Sequence, residues 1–354
     1  MIIMITPPVD RSMLVSLLCS RNMRRSKITL LAGLGILSIL IREFQNLLQD
    51  EVFLSGNVMV SYDLTVPSIT AFLPHTKQSP RALVPAIKVS RGRRNVSMVI
   101  GIPTVKREVQ SYLVSTLESI FNNMNAKEIS DTLVIILISE TNLDFVHQVL
   151  AEIQTKHSHH LESGALEVIS PPSEFYPNMT ALRETLGDKM DRVVWRSKQV
   201  LDFSFLMMYG QGRGTFYVQL EDDIITKKGF ISTMKNFAQK QEETNQDWFV
   251  LDFCSLGYIG KLFRSSDLLW IVQFFLMFYN DKPVDWLLVD IMKTKVCGLD
   301  HDHNHCKLEV DKLWIHYTPS LFQHMGTHSS LKGKKQKLKD PLFKKDQDVK
   351  ISAF

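Results

Sequence analysis

Cysteine, long apolar runs and basic-aromatic alternation are all scarce in these 354 residues. Four cysteines (Cys19, Cys254, Cys297, Cys306) are too few to frame a chain of this size, which excludes a disulfide scaffold. Cys297 and Cys306 enclose a short polar loop, a spacing compatible with one disulfide in an oxidising compartment. Cys19 and Cys254 would then stay unpaired. No stretch interleaves cations with aromatics as a nucleic-acid platform requires, so nucleic acid is not an expected partner. No segment repeats internally. The glycines of Gly210-Gln-Gly-Arg-Gly214 lack phosphate-binding spacing and read as a connector.

One apolar run stands apart near the N-terminus. Ile28 to Ile41 is uncharged over about fourteen residues, against the roughly 20 needed to span an average bilayer. A secretory signal peptide has a core of this length, but the run starts late and no small-x-small cleavage site follows it. Cations crowd its N-terminal side (Arg21, Arg24, Arg25, Lys27), and such flanks stay cytosolic. The reading is a signal anchor, with snorkelling of Arg25, Lys27 and Arg42 compensating for the short span. It divides the chain into a cytosolic tail (1–27), an anchor (28–41), a stem (42–94), a luminal domain (95–340) and a C-terminal tail (341–354). Asn95-Val-Ser97 and Asn178-Met-Thr180 have the form of N-glycosylation acceptors on the luminal side.

What is present is ordinary globular material: 45% hydrophobic, 22% charged, net charge +4. Pro67, Pro74, Pro80 and Pro85 mark the stem. Beyond it strands and helices alternate. Ser97–Pro103, Thr132–Ser139 and Leu166–Ser170 read as strands, with helices expected over Lys106–Met124, Leu143–Gln154 and Trp195–Tyr209. Further on, Phe230–Lys240 and Asp267–Tyr279 read as helices, the second a buried helix rather than a second span, and Trp248–Phe253 and Leu313–Tyr317 as strands. Strands apolar on both faces, separated by amphipathic helices, predict an α/β fold with a mainly parallel sheet covered on both sides.

The chemistry gathers at Thr215 to Ile225, an apolar β-branched and aromatic strand ending in Glu221, Asp222 and Asp223. Carboxylates at the C-terminal end of a strand stand where α/β proteins bind ligands. Hard oxygens this close suit Mg²⁺ or Mn²⁺ beside a phosphate. An acidic turn with no function is the plain alternative for an isolated triplet. Asp300-His-Asp-His-Asn-His-Cys306 also offers ligand types, but its alternation beside a disulfide reads as a solvated surface loop.

Tyr217-Val-Gln-Leu-Glu-Asp-Asp-Ile224 closely resembles the metal-binding stretch of the N-acetylglucosaminyltransferase IV family, glycosyltransferase family 54. Met98-Val-Ile-Gly-Ile-Pro-Thr-Val-Lys-Arg107, Phe205–Tyr209, Leu256-Gly-Tyr-Ile-Gly-Lys261, Lys282-Pro-Val-Asp-Trp-Leu-Leu288 and Pro319–Ser330 look like that family too. The similarity runs in order from about Leu73 to about Asp340. It implies a glycosyltransferase-A-like domain on a type II membrane protein of the Golgi or the ER-Golgi intermediate. It also implies UDP-GlcNAc, a divalent metal (Mn²⁺) and β1,4-GlcNAc transfer to the α1,3-mannose arm of N-glycans.

Within that frame Asp223 is the expected metal ligand, with Glu221 and Asp222 in the donor site. An inverting transfer needs a base, for which Asp285 ranks first and Asp252 second. Asp285 could equally be a helix N-cap. His324 and His328 are candidates for the diphosphate or the metal.

Some features depart from the family. The chain stops about where the family continues into a lectin-like domain. Val289-Asp290 replaces Asp-His after Trp-Leu-Leu, and Asp252 stands where the family has Glu. Displacing a catalytic group by near 1 Å can cost on the order of 100-fold in rate. Together these resemble the short, D-type branch of the family. That branch implies a catalytically weak or inactive protein that inhibits N-acetylglucosaminyltransferase I. An active transferase is the alternative expectation.

Overall fold

The computed structural model describes residues 69–344, apart from 245, 246, 332–334 and 336. The expected anchor at 28–41 lies outside them. Among the described residues no helix is long and apolar enough to cross a membrane.

The chain enters through a helical turn, α1 (Ile69–Phe72), and a short edge strand, β1 (Ile87–Val89). Strand and helix then alternate: β2 (Val96–Thr104), α2 (Leu113–Asn122), α3 (Ala126–Ser130), β3 (Thr132–Ile138), α4 (Leu143–Glu162), β4 (Leu166–Ser170), α5 (Met190–Gly210) and β5 (Gly214–Gln219). There follow β6 (Ile224–Thr226), α6 (Phe230–Glu243), β7 (Val250–Asp252), β8 (Lys261–Arg264) and α7 (Leu268–Phe278). The last elements are α8 (Val284–Val296), α9 (His303–Leu313), β9 (Trp314–His316) and β10 (Phe322–His324).

One sheet has the order β1-β4-β3-β2-β5-β8-β7-β9. The pairs β4–β3, β3–β2 and β2–β5 are parallel. β8 runs antiparallel to both β5 and β7. Every residue of β3 is buried because both faces are covered. Val134, Ile136 and Ile138 pack with apolar residues of α2, α4 and α6, while Leu133, Ile135 and Leu137 pack with those of α5, α7 and α8. Burying one such side chain fully contributes roughly 1.5–3 kcal/mol, so the central strands form a rigid base for the loops at their C-terminal ends.

A second, two-stranded sheet completes that edge. β10 pairs antiparallel with β6, setting Phe322 opposite Thr226 and His324 opposite Ile224. Because β6 begins directly after the acidic triplet, this register brings His324 against Asp223.

Several sequence expectations shift. The helix expected from Lys106 starts only at Leu113, because residues 105–112 form a loop that carries Arg107 to the acids. α4 continues to Glu162 through a kink at His157, where φ is −130°. The stem expectation also changes from residue 69 onward. Pro74 and Pro80 open two 3₁₀ turns, Leu73 and Ala82 are buried, and β1 adds an antiparallel edge to β4. α7 is only half-buried: Leu269, Trp270 and Met277 face outward. The histidine-rich loop is instead the start of α9, with Asp302 as N-cap accepting from the His305 N–H at 2.8 Å. Cys297 and Cys306 are joined by a disulfide across the connection from α8 to α9. Asn95 and Asn178 are both exposed, and Asn95 has a left-handed backbone.

Candidate active site

The acidic turn is anchored from three elements. Thr116 of α2 donates its hydroxyl to the Asp222 carbonyl (2.8 Å) and accepts from the Ile224 N–H (3.0 Å). Thr104, at the end of β2, donates to Asp222 Oδ2 at 2.5 Å. The Met325 N–H donates to the Asp223 carbonyl at 2.9 Å, tying the segment after β10 to the same turn.

Arg107 binds the two aspartates from the β2–α2 loop. Its guanidinium pairs with Asp222 Oδ1 and lies 3.2 Å from Asp223 Oδ2. Its other terminal nitrogen donates to the His328 carbonyl at 2.7 Å. Tyr112 closes the loop: its hydroxyl accepts from the Thr327 N–H at 3.1 Å. Sequence reasoning gave no role to Arg107, Thr104, Tyr112 or Thr116. The signal available was the stretch from Met98 to Arg107, whose resemblance to the family already reached Arg107.

Glu221, Asp223 and His324 form the one group among the described residues whose ligand atoms lie within 4.8 Å of each other. His324 Nε2 is 3.2 Å from Asp223 Oδ2. Burial beside Asp223 pushes Glu221 up to about 7. Burial also raises Asp222, with Asp223 adding to the effect and Arg107 opposing it. Burial works against protonated His324, yet hydrogen bonding to Asp223 and its charge outweigh that and raise the imidazole. Two glycines shape this pocket. A Cβ on Gly257, which has φ +46°, would lie 3.1 Å from Glu221 Oε1, and one on Gly326 would lie 2.2 Å from Asp223 Oδ2.

These residues fit a divalent cation. Asp223 Oδ1 is buried and has no hydrogen-bond partner among the described residues, so the carboxylate has an unused lone pair in the pocket. Two carboxylates and an imidazole also form a donor set that Mn²⁺ accepts.

Two hollows meet at the acids. One, of about 230 Å³, lies over the ends of β2 and β3 and is lined by Pro103, Lys106, Glu140, Lys198, Asp202 and Asp222. The other, of about 360 Å³, is lined by Glu221, Asp223, His324, Tyr258, Asp285 and Trp286. Trp195 of α5 borders both, and its indole N–H donates to Ser330 Oγ at 3.3 Å.

The sequence candidates therefore separate. Glu221, Asp223, His324 and Asp285 come together on one cleft. The N-cap of α8 is Pro283, and Asp285 sits inside the first turn with its side chain exposed. His328 lies further out, its ring 3.2 Å from Thr327 Oγ1, and serves the site through its carbonyl. Asp252 is elsewhere, 3% exposed in a network of its own. It pairs with Lys261 Nζ at 2.7 Å and accepts from the Trp314 indole at 2.9 Å. His316 lies 3.2 Å from its other oxygen. Burial opposes ionised Asp252, but His316 and Lys261 outweigh that and hold it below the usual carboxylate range. Neither Asp252 nor Val289 lines the cleft.

Residues 64–343 match the MGAT4 conserved region. The chain is 50% identical over 288 residues to alpha-1,3-mannosyl-glycoprotein 4-beta-N-acetylglucosaminyltransferase A of Rattus norvegicus, covering 81% of this chain and 54% of that protein. To the B enzyme of Mus musculus it is 48% identical over 304 residues, covering 86% and 55%. It thus spans about half the length of the curated relatives it matches. Among solved structures, S. aureus TarS 1-349 in complex with UDP-GlcNAc aligns over 61% of this chain and 71% of that one, with a TM-score of 0.33 and 11% identity.

Proposed function

This chain belongs to the alpha-1,3-mannosyl-glycoprotein 4-beta-N-acetylglucosaminyltransferase family, and from that premise we propose that it binds UDP-GlcNAc with a divalent metal and carries out inverting transfer in N-glycan branching. The convergence of Glu221, Asp223, His324 and Asp285 on one cleft carries this reading. Glu221, Asp223 and His324 would hold the ion. When bound, it supplies charge neutralisation for the departing diphosphate. Arg107 keeps the aspartates oriented, and Trp195 stands where the two hollows meet. Asp285 takes the proton from the acceptor hydroxyl as that oxygen bonds to the sugar's anomeric carbon. The bond to UDP breaks on the opposite face, and the configuration inverts.

Both substitutions that suggested inactivity lie off the cleft, which favours retained turnover. Asp252 is committed to Lys261. Val289 follows Asp285 by one helical turn, so a carboxylate in its place would stand behind the base rather than in contact with substrate. A type II anchor in the Golgi or the ER-Golgi intermediate would hold the body in the lumen.

A second reading is regulatory: a catalytically weak or inactive protein that inhibits N-acetylglucosaminyltransferase I by association. The outward face of α7 favours it, with Trp270 66% exposed beside Leu269 and Met277. A transfer assay with UDP-GlcNAc, Mn²⁺ and a biantennary N-glycan separates the two. Turnover abolished by Asp223→Ala supports the transferase. No turnover, with cells shifted to oligomannose glycans even by the Asp223→Ala protein, supports the regulator.

A further inference from the structure

Trp286 occupies a position that packing does not explain. Its neighbours Leu287 and Leu288 are buried, whereas the indole is 53% exposed at the first turn of α8. It lines the same cleft as Asp285, its neighbour in sequence, and the seat of Glu221, Asp223 and His324. α5 contributes Arg192 and Gln199 to the same cleft, both polar and able to donate, with Arg192 Nε also 3.3 Å from Asp188.

We infer that Trp286 is an acceptor subsite: its indole face stacks on the apolar C–H face of a mannose-containing saccharide and so delivers one hydroxyl to Asp285. A pyranose has an apolar face ringed by hydroxyls. A large rigid indole covers such a face at small conformational cost, while side chains around it take up the hydroxyls. Arg192 and Gln199 supply those polar contacts. The adjacency of Trp286 and Asp285 fixes the distance from stacking face to base within one helical turn, which makes Trp286 a positioning residue. This inference rests on the transferase reading of the cleft.

The test is calorimetric titration of detergent-solubilised full-length protein with a biantennary N-glycan oligosaccharide, in the presence of UDP and Mn²⁺. Wild type, Trp286→Ala and Trp286→Phe are compared, with UDP titrated separately. The expected result is saccharide affinity about tenfold weaker in the alanine variant. Phenylalanine should recover most of that loss, and UDP affinity should be equal in all three. Equal saccharide affinity in Trp286→Ala would overturn the subsite. So would a wild type that binds UDP but no saccharide. Turnover measured in parallel separates the claims: saccharide binding that depends on Trp286 without turnover leaves the subsite standing and removes the transferase reading.

Discussion

Gly326 packs so closely on Asp223 that a Cβ added there would lie 2.2 Å from Oδ2 and 2.9 Å from Cγ. Asp223 cannot retreat cheaply, because Arg107 and His324 hold that same oxygen at 3.2 Å each. Gly326→Ala should therefore push the carboxylate out of place while leaving the sheet intact. The expected outcome is a loss of Mn²⁺-dependent UDP binding of about tenfold or more, the worth of one charge-assisted contact. Titration calorimetry checks it, with circular dichroism as the folding control. Unchanged affinity would show that the seat does not depend on Asp223.

Arg107 neutralises two buried acids, so its removal leaves like charges facing each other. Breaking a buried pair by deleting one partner typically costs about 3–5 kcal/mol. Arg107→Ala should melt well below wild type in the absence of divalent ions. Added Mn²⁺ should recover part of that loss, because a cation seated by Glu221, Asp223 and His324 restores positive charge. A melting point lowered equally with and without Mn²⁺ would show that the acids do not take up the ion.

Asp285 and Asp252 should fail in different ways. Asp285→Asn removes the base at an exposed cleft position, so turnover should fall by roughly 10²–10⁴ while UDP affinity and stability hold. Asp252→Asn leaves buried Lys261 without its counter-charge and should cost about 3–5 kcal/mol of stability, with any turnover that survives keeping its metal and donor dependence. Steady-state kinetics alongside thermal melts distinguish the pair. A stable, inactive Asp252→Asn protein would reverse the assignment.

How much of this the sequence carried follows from range. Thr132 to Ile138 reads correctly because a strand buried on both faces is apolar at every position, and the acids at the end of β5 are legible for the same local reason. The helical spacing of Val109, Leu113 and Leu117 predicts a helix that takes in Arg107. Its pull toward Asp222 comes from 115 residues away, which no local pattern encodes. The resemblance points to His324, but its meeting with Asp223 depends on the β6–β10 register. Asp252 is hard to place from the sequence for the opposite reason. It also ends a strand parallel to β5, yet its partners Lys261 and Trp314 belong to elements that cannot be aligned with it from spacing alone.

The histidines of α4 set a testable acid limit. His160 stacks on Phe121 with ring centroids 3.7 Å apart, and burial, followed by the neighbouring His157 and His159, pushes it down to about 4. His157, at the kink, is lowered as well, chiefly by burial. An unfolded histidine titrates near 6.5. Between about 6.5 and about 4 the unfolded chain therefore takes up a proton at His160 that the folded chain refuses. Stability is full above that window and declines as pH falls through it, by at most about 1.4 kcal/mol per pH unit for one proton. Replacing His160 with Phe keeps a ring against Phe121 and removes the titration. The His160→Phe protein should melt with a shallower pH dependence between 6.5 and 4, while the curves run parallel above pH 7. If the two proteins lose melting temperature at the same rate below pH 6, the half-buried ring is not the group that senses acid.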